Sequence, residues 1–210
     1  ERLDSSAHFV GPSSKTLQLG NIVDNKSPDY NSTLTNVRDN YTVTDKADGE
    51  RRLFFITSMG LVYLINNNMK LLFTGAKTNH KLYHNSLLDG EIISHDKHGK
   101  FINLFAAFDV YIVNGKDVRA HVFYRDMTLV EDGDDRHRNK SRHHILTHLM
   151  KDLNLVSVVI DTQSQKPMPS PIRVSVKQFY AGTETVSIFA GCKKILDRID
   201  SDLFEYTTDG

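Results

Sequence analysis

Leu53-Phe54-Phe55-Ile56-Thr57-Ser58-Met59-Gly60-Leu61-Val62-Tyr63-Leu64-Ile65 is the stretch whose reading decides the fold class. Two apolar runs rich in aromatic and branched residues flank a short link ending in glycine, the pattern of a β-hairpin. Working outward, residues 41–44 are β-rich, and further strands are expected at 70–74, 87–93 and 104–112. Asp96-Lys97-His98-Gly99-Lys100 turns the chain between the last two, and Asn114-Gly115 turns it again beyond them. A meandering, mostly antiparallel sheet is the natural reading.

The rest of the chain changes period. Residues 131–152 read as mainly helical, with Ile145, Leu146, Leu149 and Met150 forming an apolar stripe. Strands are expected at 156–160 and 172–176, around the Pro-rich loop Lys166-Pro167-Met168-Pro169-Ser170-Pro171. A second helix is expected over 183–199, with Val186, Phe189, Ala190, Lys193, Ile195 and Leu196 mostly on one side. Short strands followed by segregated helices predict an α+β fold of antiparallel sheets with flanking helices. Residues 1–40 are polar and turn-rich, and Leu17, Leu19 and Ile22 can form one short helix or strand. They read as a lead-in segment packed on a domain over 41–210.

Composition narrows the function classes. Lys and Arg total 26 and so do Asp and Glu, so there is no global pull toward nucleic acid or a membrane surface. Any nucleic-acid contact must come from a local patch. The 39% apolar share excludes a wholly disordered chain, and 210 residues suffice for a core in one domain or two small ones. The single cysteine, Cys192, excludes an internal disulfide, zinc fingers and CxxC redox chemistry, and reads as a small helical core residue. No apolar run approaches the roughly 20 residues that span a bilayer. The start, Glu1-Arg2-Leu3-Asp4, carries neither Met nor a signal pattern, as expected of a piece of a longer polypeptide.

Four short strings can carry chemistry. Lys46-Ala47-Asp48-Gly49-Glu50-Arg51 puts a lysine at a strand end beside a glycine turn, with an arginine on the next strand. An amine is a nucleophile only when neutral, which a neighbouring cation such as Arg51 or a divalent metal would favour. Leu88-Asp89-Gly90-Glu91-Ile92-Ile93 brings a carboxylate into a strand after a tight turn, suited to a ribose hydroxyl or a metal. Phe105-Ala106-Ala107-Phe108-Asp109-Val110 sets an aromatic beside an acid, although either phenylalanine can equally be core. Thr207-Thr208-Asp209-Gly210 means little alone.

In this order the four strings resemble the covalent nucleotidyltransferase superfamily, the mRNA capping guanylyltransferases and the ATP- or NAD-dependent polynucleotide ligases, over residues 41–210. The resemblance implies that Lys46 attacks the α-phosphorus of a nucleoside triphosphate and becomes a lysyl-nucleotide. It implies that Arg51 contacts sugar and phosphates, with Asp48 and Gly49 in the same nucleotide-binding motif. Glu91 would bind the ribose or help a metal. Phe108 would pack on the purine, with Phe105 a second choice, and Asp109 follows in the motif. Asp209 would be a metal-associated carboxylate, and Mg²⁺ or Mn²⁺ is implied. The form of the first string, and Asp209-Gly210 where ligases usually have Glu-Gly, favour a guanylyltransferase.

The capping enzymes of large cytoplasmic DNA viruses (poxvirus, asfarvirus and mimivirus types) look most similar. That implies GTP and 5′-diphosphate RNA as substrates, triphosphatase and methyltransferase domains in the same polypeptide, no membrane partner, and a cytoplasmic location, in a virus factory or virion. An ATP-dependent ligase and a non-catalytic scaffold or RNA-binding pseudoenzyme are the alternatives. The family continues past Asp-Gly into an apolar strand, a lysine-bearing motif and an OB-fold lid, which lie outside this sequence. These 210 residues alone are therefore expected to label Lys46 poorly.

Two further signals weigh less. His80 and His84, and His144 and His148, are each four apart, but no third metal ligand stands at a set offset. Arg136, His137, Arg138, Lys140, Arg142, His143 and His144 form a basic run that can touch RNA phosphate or be a solvated helix face balanced by nearby acids.

Overall fold

A computed structural model of the chain describes residues 9–38, 40–124, 141–182 and 186–209. Among these, the elements in chain order are β1 (Thr42–Val43), β2 (Glu50–Ile56), β3 (Leu61–Ile65), β4 (Leu71–Thr78), β5 (Ser86–His95), β6 (Phe101–Val113), β7 (Lys116–Asp117), α1 (Arg142–Asp152), β8 (Leu155–Ile160), β9 (Pro167–Pro169), β10 (Arg173–Val176), β11 (Tyr180–Ala181) and α2 (Ile188–Asp200). One-turn 3₁₀ helices cover Leu19–Asn21 and Lys81–Tyr83. Among the described residues the architecture is mostly antiparallel sheet with two α-helices, the α+β class expected. By its contacts the chain divides into two units, Glu1–Val10 with Ala47–Val176, and Gly11–Lys46 with Lys177–Gly210.

The first unit is built on a nine-stranded sheet in the order β10-β6-β5-β2-β3-β4-β8-β9, with β7 folded back on β6. The β2–β3 hairpin pairs Leu53 with Ile65 and Ile56 with Val62, as its two apolar runs require. Alternation sorts the strands by face. Phe54, Ile56, Val62, Leu64, Leu88, Phe105 and Val110 join one core cluster, which Leu146, Leu149 and Met150 of α1 complete. Ser141 caps α1 by accepting from the His144 N–H at 3.3 Å. Leu53, Ile65 and Tyr111 form a smaller cluster together with Phe9 and Phe55.

Three elements differ from the sequence reading. Pro167–Pro169 is a short strand rather than loop, and it lies at the sheet edge, where a missing N–H is tolerated. β4 runs on to Thr78. β10 joins β6 in parallel, within a sheet whose other pairings are antiparallel.

In the second unit β1 pairs with β11, and α2 packs against both. α2 starts at Ile188, after the Ser187 cap, and its buried stripe is Ile188, Gly191 and Ile195. Phe189 and Leu196, read with Ile195 mostly on one side, are exposed, because each stands one position beyond a residue of the buried stripe. Cys192 lies half-buried on this helix. No helix among the described residues is long and apolar enough to cross a membrane.

Candidate active site

Lys46 lies just after β1, on extended chain whose side chains alternate. Asp45 points inward and is buried, whereas the Lys46 side chain is 69% exposed. Its ammonium meets the Asp209 carboxylate in an ion pair, and the Asp209 N–H donates to the Lys46 carbonyl at 2.8 Å. The first and fourth strings, 163 residues apart, are thus in contact. The pair is half-solvated, with Asp209 46% exposed. The Asp209 carboxylate occupies the amine, so nucleophilic attack by Lys46 requires that contact to open.

Arg51 and Glu91 face each other in register on β2 and β5. Asp89, two residues from Glu91, shares that face, and Arg51 reaches diagonally to it. Its Nε donates at 3.0 Å to one carboxylate oxygen and a terminal nitrogen at 2.5 Å to the other. This planar two-point contact fixes the guanidinium. Hydrogen bonding to Asp89 raises the Arg51 pKa against the opposing effect of burial. Asp89 is fully buried and also accepts from the Tyr111 hydroxyl. Burial first, and then that hydrogen bond, push the Tyr111 pKa well above the ordinary phenol range.

Phe108 lies where β5 and β6 slip register. Asp89 pairs with Asp109 and Gly90 with Ala107, so Phe108 is passed over. Such a bulge re-aims a side chain. Phe108 is half-buried, with the Arg51 guanidinium 5.7 Å from its ring centre, and Phe9 lies 4.9 Å from the same guanidinium. Phe105 is fully buried in the core, 4.9 Å from the Phe54 ring, so of the two phenylalanines only Phe108 has surface to offer a base. Asp109 binds Arg142 at the start of α1, and Arg142 also donates to the carbonyls of Arg119 and His121. That pair is structural, and it removes Arg142 from the proposed basic face. Arg136, His137, Arg138 and Lys140 lie outside the described residues.

Two glycines are required by close approach. A Cβ at Gly49 would come within 2.9 Å of the Ile92 carbonyl, and one at Gly90 within 2.5 Å of the Phe105 ring. Gly49 therefore lets the first string lie close on β5. Asp48 beside it is exposed. Among the described residues, no group of three or more His, Cys, Asp or Glu could hold a metal. His80 and His84 flank a 3₁₀ turn, where the His84 ring nitrogens meet the carbonyls of Ser58 and Thr78.

The reading from sequence did not single out Asp89, Tyr111, Lys177 or Tyr206. Asp89 had a signal, since it alternates with Glu91 on one strand face. Lys177 ends the alternating run Val174-Ser175-Val176, but nothing local names its partner, Asp45, 132 positions away.

Residues 32–208 match the family described as mRNA capping enzyme, catalytic domain. Over 93 residues the chain is 37% identical to a probable mRNA-capping enzyme of Acanthamoeba polyphaga mimivirus, a stretch covering 44% of this chain and 8% of that protein. The matched stretch is thus a small part of that relative's length. With the four strings in family order and most of its length matched, the chain belongs to the mRNA capping enzyme catalytic-domain family.

Proposed function

We propose that this domain is an mRNA guanylyltransferase. The Lys46 amine attacks the α-phosphorus of GTP, a P–N bond forms, the bond from that phosphorus to the bridging oxygen breaks, and pyrophosphate leaves while the amine loses a proton. The terminal phosphate oxygen of a 5′-diphosphate RNA then attacks the same phosphorus. The P–N bond breaks, the capped end leaves, and Lys46 regains its proton.

The observation that carries this reading is the contact between Lys46 and Asp209, the lysine and the carboxylate of two strings that the family resemblance pairs in one chemistry. Asp209 holds the amine in place before substrate arrives. Arg51, fixed by Asp89, offers a preset cation to phosphate and sugar, Phe108 offers a ring face to the purine, and Glu91 a carboxylate to the ribose. The capping family match favours GTP over the ATP of the ligases.

Asp209 beside Lys46 would be one hard oxygen ligand for a magnesium or manganese ion, and Glu91 is the other carboxylate that the resemblance implies; such ions commonly take one or two carboxylates with substrate phosphates. When bound, it supplies charge stabilisation at the phosphate oxygens. A 5′-diphosphate acceptor requires a triphosphatase step before this one; a methyltransferase step after it, both in the same polypeptide and at a cytoplasmic site, is what the resemblance to viral capping enzymes implies. Incubating the full-length protein with α-labelled GTP or ATP, then locating the label by mass spectrometry, tests the reading. Acid-labile label on Lys46 from GTP supports it, and label from ATP alone turns it toward a ligase.

A further inference from the structure

A lysine side chain has four rotatable bonds, so its nitrogen is presented in one place only if the main chain beneath it is fixed. Both peptide groups flanking Lys46 are clamped from distant parts of the chain. On the leading side, the Lys177 ammonium donates to the Asp45 carbonyl and pairs with the Asp45 carboxylate at 3.3 Å, each side chain only 4% exposed. The Tyr206 hydroxyl donates to that carboxylate at 3.1 Å, and the Thr44 hydroxyl to its other oxygen at 3.3 Å. On the trailing side, the Asp209 N–H donates to the Lys46 carbonyl at 2.8 Å. A buried ion pair carries a heavy desolvation cost and is weak evidence for stability alone. Here its ammonium also grips the peptide group that leads into Lys46.

We propose that Lys177, acting through Asp45, and Tyr206 are positioning residues for Lys46, holding its main chain so that the amine is presented in line with the bond to be broken. The proposal rests on the reading of Lys46 as the nucleophile. Misplacing a reacting group by about 1 Å can cost roughly 100-fold in rate, and the loss should fall on the chemical step rather than on nucleotide binding.

The test uses full-length protein and single-turnover labelling with α-labelled GTP over a range of GTP concentrations. Lys177→Met and Tyr206→Phe should lower the saturating rate about 10- to 100-fold, with half-saturation changed by less than about twofold. Lys177→Gln, which keeps an N–H donor, should recover part of the loss. Ile195→Val, a core change on α2 that removes none of these hydrogen bonds, should label at the normal rate despite its lower stability. Wild-type labelling with unchanged rates in folded Lys177→Met and Tyr206→Phe would overturn the proposal alone. Should Lys177→Met fail to fold, Tyr206→Phe decides the matter, because it removes one hydroxyl and leaves the ion pair intact. No label on the wild-type protein with either nucleotide overturns the functional reading and this proposal with it.

Discussion

Lys46 and Asp209, 163 residues apart, are joined twice: side chain to side chain by an ion pair, and main chain to main chain by an N–H to carbonyl bond of 2.8 Å. The second contact keeps the two residues adjacent even when the first opens. The Asp209 carboxylate can therefore swing away from the amine without the two residues separating.

From this follows a separation of stability from activity. Asp209→Asn should change the unfolding free energy by no more than about 1 kcal/mol, since the pair is half-solvated. It should lower Lys46 labelling by roughly 100-fold or more. Urea unfolding alongside a labelling assay checks both, and a normal labelling rate would remove Asp209 from the chemistry.

The two phenylalanines of the third string should behave oppositely. Phe105→Ala empties a fully buried site against Phe54 and should cost about 3–5 kcal/mol of stability. Phe108→Ala, at a half-buried bulge position, should cost much less stability but weaken nucleotide binding by about 1–3 kcal/mol, the usual worth of one stacked base. Equilibrium unfolding and fluorescent-nucleotide titration distinguish them.

Breaking the Arg51–Asp89 contact should be costly from the buried side. Asp89→Ala leaves the Arg51 guanidinium and the Tyr111 hydroxyl without their shared acceptor, and should cost about 3 kcal/mol. Arg51→Lys retains charge but loses the planar two-point contact, so nucleotide affinity should fall about tenfold. Calorimetric binding of GTP checks the latter.

Tyr111 sets an alkaline limit on stability. Its folded pKa lies above the unfolded value, chiefly through burial and the Asp89 hydrogen bond. Its contribution is thus complete below the unfolded phenol pKa of about 10 and declines as pH rises beyond it, because the unfolded chain loses its proton first. Stability should fall from about pH 10 upward, and Tyr111→Phe should flatten that fall. Unfolding midpoints measured across the alkaline range check the slope.

How much of this was legible in the sequence follows from the range of the signals. Leu53 to Ile65 carries hairpin, period and turn within one short segment, and the hairpin stands as read. The helix over 183–199 was harder, since Val186 and Phe189 lend an apolar pattern to residues outside the stripe that Ile188, Gly191 and Ile195 form. The four strings could be ordered but not spatially joined, because the partner of Lys46 stands at the other end of the chain. Asp89 and Lys177 escaped notice for the same reason: a buried charge is recognised by its counter-ion, and Arg51 and Asp45 lie 38 and 132 positions from them.

The most direct test of the account is to incubate the full-length protein with α-labelled GTP and a divalent cation, digest it, and sequence the labelled peptide. One GMP is expected on the ε-nitrogen of Lys46, released by acid and by pyrophosphate, with no label in Lys46→Ala. Label on another residue, or undiminished label in Lys46→Ala, would contradict it.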